Sequence, residues 1–154
     1  MNFFREYFIG AYLRSEEDVL KQASIRLVYN IIAISVLALV IFFVVYLTKG
    51  FQYQLIKNVM IMSLFIGILF YIKKNKSIEL VCHLLILISW MNNNINIYLF
   101  DDFNFFIALL TVTNILFAFQ TLGSKAGILY SAVHFVPIFL HILGKYSGYA
   151  VINE

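Results

Sequence analysis

Between Arg26 and Lys49 the chain runs from Leu27 to Leu47 without a single charged side chain. A helix rises 1.5 Å per residue, so about 20 mostly apolar residues cross a hydrocarbon core of about 30 Å. That run meets the requirement, and four more follow it. Leu55 to Ile72 carries Lys57 and Asn58 near one end and stops at Lys73-Lys74. Leu80 to Phe100 holds Asn92, Asn93, Asn94 and Asn96, so its last turn is expected to unwind into an outer loop that ends at Asp101 and Asp102. Phe103 to Leu122 is uncharged, and Ala126 to Gly144 forms the fifth run. A membrane β-barrel would need short segments of alternating polarity. Val36–Phe43 and Leu64–Phe70 show none. The expected fold is all-α: a polytopic membrane bundle of five transmembrane helices over residues 27–144, preceded by an interfacial helix within residues 1–26 and followed by an outer tail, 145–154.

Composition narrows the function classes. Hydrophobic residues make up 62% of the 154 and charged residues only 12%, against about 45–50% and about 25% in an ordinary soluble domain. Too few charges remain to cover a small water-soluble surface. A soluble enzyme and a disordered segment are excluded on that ground. The net charge of +3 is small and its basic residues are scattered, so no nucleic-acid partner is expected. The one cysteine, Cys82, excludes an internal disulfide.

Orientation follows from the excess of basic residues on cytoplasmic loops. With the N-terminus inside, Arg5, Arg14, Lys21, Arg26, Lys73, Lys74, Lys76 and Lys125 are cytoplasmic, leaving Lys49, Lys57 and Lys145 outside. Ahead of the first span, Phe3, Phe4, Tyr7, Phe8, Ile9, Tyr12 and Leu13 surround Arg5 and Glu6, the make-up of an uncleaved helix in the inner interface. Ser15 is placed to cap a helix beginning near Glu16, with Asp18 at its third position. That helix is expected to continue to Leu47.

Polar groups inside spans usually face protein or water. On the fifth span, Gly127, Ser131, His134, Ile138, His141 and Lys145 follow helical spacing, with Pro137 between the histidines. We read His134 and His141 as interhelical hydrogen-bonding groups; a ligand, proton or metal site is the second reading. His83 lies one turn into the third span and meets His134 only if the helices tilt or stagger. Asn104, Thr111, Asn114, Ala118 and Thr121 repeat the pattern on the fourth span, where Asn114 is read as glue between helices. Ser63 and Gly67 form a small-residue pair on the second span. Asn92, Asn93, Asn94, Asn96, Asp101 and Asp102 are read as a hydrated connector, or else as a site for a small ligand or cation. No phosphate loop, nucleophile elbow or haem-attachment motif occurs. Neither enzymatic activity nor a cofactor is expected.

Ala11-Tyr12-Leu13-Arg14-Ser15-Glu16-Glu17-Asp18, the basic Lys73–Lys76 loop and the turn Leu122-Gly123-Ser124-Lys125-Ala126-Gly127 resemble features of the N-terminal membrane region of bacterial six-helix sensor histidine kinases. Asn92–Asn96 stands where those proteins carry a Gly-rich loop, and the chain has no sixth helix or kinase part. The resemblance implies a bacterial inner-membrane location and a signal-input role, with a homodimer or a membrane kinase as partner besides the bilayer. It makes the chain the input domain of such a kinase, or a fragment of one. A small transporter or substrate-binding subunit is the alternative, followed by a haem- or quinone-binding subunit.

Overall fold

The computed structural model describes residues 2–75, 77–99 and 105–146. Among them there is no strand. A short helical segment is followed by five longer helices: α1 (Val19–Lys49), α2 (Gln52–Asn75), α3 (Ile78–Leu99), α4 (Phe105–Leu122) and α5 (Ser124–Tyr146). Four helices are long and apolar enough to cross a membrane: Val19–Lys49, Gln52–Lys74, Ile78–Leu99 and Ser124–Lys145. The apolar part of α4, Ile107–Leu122, is shorter, and Phe103, where the fourth span was expected to begin, lies outside the described residues. The chain divides into two compact units, Met1–Cys82 and His83–Glu154.

In the first unit, α1 and α2 pack as a hairpin. Asn58 is buried on α2 and donates its Nδ2–H to the Leu39 carbonyl of α1 at 2.7 Å. The cap of α1 differs from expectation. Asp18, not Ser15, is the capping residue; its carboxylate accepts from Leu20 N at 2.8 Å and Lys21 N at 3.4 Å. Glu16 is already extended, so the helix starts at Val19, and Ser15 closes the preceding turn by donating to the Tyr12 carbonyl. An ionised side chain accepts from free N–H groups at a helix start by charge-assisted hydrogen bonds, which are stronger than neutral ones. At the other end Gly50 is left-handed (φ 72°), and Phe51 N–H closes onto the Tyr46 carbonyl at 3.0 Å. Only glycine takes that conformation without strain.

The segment before α1 has three pieces, Asn2–Arg5, a wider π-type turn over Glu6–Gly10, and Ala11–Ser15. Ile9 is fully buried. The middle piece packs on α2: the Phe8 and Phe70 rings meet edge to face at 5.6 Å, and the Lys73 ammonium sits 3.4 Å from the Tyr7 ring centroid. Arg14 pairs with Glu6. Burial pushes the Tyr12 phenol above its ordinary value, and the Glu16 carboxylate adds to the rise, while the Ile78 backbone works against it.

In the second unit, α4 and α5 form a hairpin turned by Gly123 (φ 85°). Ala118 is fully buried, and a Cβ on Gly127 would overlap the Phe119 ring. The helix α3 runs on through Asn92–Asn96 to Leu99, which corrects the expected unwinding there and the assignment of Asn92, Asn93, Asn94 and Asn96 to a loop. Two of the amides find partners instead: Asn94 donates to the Trp90 carbonyl one turn back at 2.8 Å, and Asn93 donates across to Thr111 of α4. In apolar surroundings an intact helix leaves the fewest backbone groups unpaired. Asp101 and Asp102 lie outside the described residues.

Candidate functional site

Three helices of the second unit share a seam of polar side chains. From α3 toward α4 the pairs run in antiparallel order. Asn114 donates to Ser89 Oγ at 2.6 Å, and Asn93 donates to Thr111 Oγ1 at 3.3 Å. Asn93 and Thr111 are both buried. Each pair satisfies groups that are costly to bury alone.

From α3 toward α5 the order is parallel. His83 Nδ1 lies 2.6 Å from the Tyr130 hydroxyl, the Trp90 indole N–H donates to the Val133 carbonyl at 2.9 Å, and the Tyr98 hydroxyl donates to the Pro137 carbonyl at 2.6 Å. The middle contact follows from covalent chemistry. In an α-helix the carbonyl of residue 133 expects the N–H of residue 137, and proline has none. Trp90 supplies the missing donor. Tyr98 then bonds the carbonyl of the same proline, so side chains from α3 hold α5 at the proline and one turn before it.

The two histidines of α5 are buried along with this seam. His134 Nδ1 donates to the Tyr130 carbonyl at 2.8 Å, one turn back on its own helix, which corrects the expectation that His134 bonds between helices. A helix carbonyl keeps a second lone pair within reach of the side chain one turn on, so no acceptor on α3 or α4 is needed. In the neutral ring Nε2 is then the lone-pair nitrogen. It is buried without a hydrogen-bond partner among the described residues, as is Asn93 Oδ1. His141 stands edge-on to the Tyr98 ring at 5.6 Å. His83 and His134 do not meet directly. Tyr130 lies between them, its ring centroid 5.7 Å from one and 6.4 Å from the other. Ser131 turns back on its own helix and donates to the Gly127 carbonyl at 2.8 Å. Gly127, His134 and His141 are buried on α5, while Phe135, Val136, Phe139 and Leu140 are exposed, so the helix has two unlike faces.

Spacing and motif mark neither Trp90, Tyr130 nor Ser89 as a site residue. One signal was available for Trp90: Pro137 leaves the Val133 carbonyl in need of a donor, and the chain has a single indole. Among the described residues no three His, Cys, Asp or Glu side chains come together as a metal-binding group. The bonds of the seam join α3 to α4 and to α5, and His134 Nε2 and Asn93 Oδ1 stay buried without a hydrogen-bond partner among the described residues. Comparison of the chain with family models, with curated proteins and with solved structures finds no match.

Proposed function

We propose that the chain is a non-catalytic signal-input module of a bacterial cytoplasmic membrane. In this reading it crosses the bilayer five times with its N-terminus inside, and acts as a homodimer or with a membrane kinase partner. The supporting observation is the grip of α3 on α5: Trp90 and Tyr98 bond the Val133 and Pro137 carbonyls, one turn before the proline and at it. In this reading a helix that lacks one backbone hydrogen bond at Pro137, and is held there by a few side-chain bonds, is an element with two accessible packings. A stimulus that prefers one packing shifts the population toward it. Spin labels at Leu87 and Leu140, both exposed, report that packing by electron–electron distance measurement in lipid. The wild type is expected to show one dominant distance and Trp90→Phe to populate a second. Identical distributions would contradict the two-packing element.

A second reading, a small transporter or substrate-binding subunit, draws on the unpartnered buried acceptors His134 Nε2 and Asn93 Oδ1. Uptake of a solute by proteoliposomes of the purified chain, lost in His134→Leu, would favour it over the first.

A further inference from the structure

The end of the first unit where the N-terminal segment meets α2 combines three features. Exposed aromatic rings come first: Phe3, Phe4 and Tyr7. Positive side chains without a direct ionic partner come second. Glu6, the only acid between residues 1 and 15, is taken by Arg14. Arg5, Lys73 and Lys74 are exposed, and among the described residues none of them has an ionic partner. Third is fixed placement. Buried Ile9, the Phe8–Phe70 contact and the Lys73 ammonium over the Tyr7 ring hold the segment against the last turns of an apolar helix long enough to span a bilayer. That level is where lipid headgroups lie. The other acids near this end, Glu16, Glu17, Asp18 and Glu79, form no ion pair with Arg5, Lys73 or Lys74 among the described residues; Asp18 caps α1 and Glu16 accepts from the Asp18 backbone.

We infer that this face binds the headgroups of anionic phospholipids. Aromatic rings settle at the interface while clustered Lys and Arg at the end of a span attract negative headgroups. Lys73 joins the two elements, since its charge lies over the Tyr7 ring yet has no counter-ion among the described residues. A lipid phosphate bridging Arg5, Lys73 and Lys74 would supply that counter-ion and pin the segment to the bilayer surface. The inference does not depend on the signalling reading.

The test uses the full chain in phosphatidylcholine vesicles containing a trace of spin-labelled lipid. The motionally restricted fraction of the spectrum then gives the relative association of spin-labelled phosphatidylglycerol and phosphatidylcholine. We expect phosphatidylglycerol to be favoured by about threefold or more. The preference should vanish in Arg5→Gln/Lys73→Gln/Lys74→Gln and persist in Lys49→Gln/Lys145→Gln, which removes the same kind of charge elsewhere. Equal association of the two lipids with the wild type, or a preference that survives the triple substitution, would overturn the proposal. Loss of the preference in both variants alike would also overturn it, because general charge rather than this face would be responsible.

Discussion

Trp90 and Pro137 illustrate how one missing N–H shapes a site. Proline withdraws a donor from Val133, and the indole restores it from another helix. In Trp90→Phe the ring volume is largely kept but the Val133 carbonyl is left without a donor. We expect a stability loss of about 0.6–1.7 kcal/mol, the range of interhelical hydrogen bonds in membrane bundles, measured by steric trapping in bicelles. His134→Leu should likewise lower stability more than Phe139→Leu, because His134 is buried and Phe139 is exposed. Equal effects would mean that His134 packs no more tightly than a lipid-facing residue. The histidine stripe could be read from spacing alone, since helical periodicity places His134 and His141 on one side. Their surroundings could not. Which of many aromatic side chains reaches which carbonyl depends on the register between α3 and α5, and no local pattern encodes that register.

At the scale of elements, long apolar runs made the helices legible, and their ends less so. Asn92–Asn96 looked like a break because asparagine favours turns, yet α3 continues because the amides find partners on Trp90 and Thr111. α1 starts three residues later than a Ser15 cap predicts, because Asp18 is its capping residue. Small residues also divided in a way that the sequence does not show. Gly127 lies under the Phe119 ring, whereas Gly67 is exposed and has nothing within 4 Å of an added Cβ. Gly127→Ala should therefore cost about 1–3 kcal/mol through overpacking, and Gly67→Ala should be neutral or slightly stabilising through helix propensity. Thermal unfolding in detergent separates the two. Tyr12 gives a pH signature at the same scale. Its folded value is raised, so its contribution to holding the N-terminal segment is present below the ordinary phenol value of about 10 and is lost as pH rises through the raised one. The 295 nm absorbance titration of wild type minus Tyr12→Phe should have its midpoint above 10; a midpoint at or below 10 would contradict the burial of the phenol.

For the whole molecule, the fold class was the most legible property, because a chain this apolar has few ways to satisfy its backbone. Helices are the described solution, and four of them are long and apolar enough to span. The exposed apolar side chains of α1, among them Ile34, Leu37, Ile41, Val44 and Leu47, are what a lipid-facing helix requires. The basic residues in turn set the direction of threading in the proposed five-span arrangement. Single cysteines in a Cys82→Ser background test that arrangement most directly, with a membrane-impermeant thiol reagent applied to intact cells. The account predicts labelling at positions Gln52 and Asp101 and protection at Ser77 and Ser124 until the membrane is opened. Labelling at Ser77 and Ser124 with protection at Gln52 and Asp101 would contradict it, and so would labelling of all four from one side.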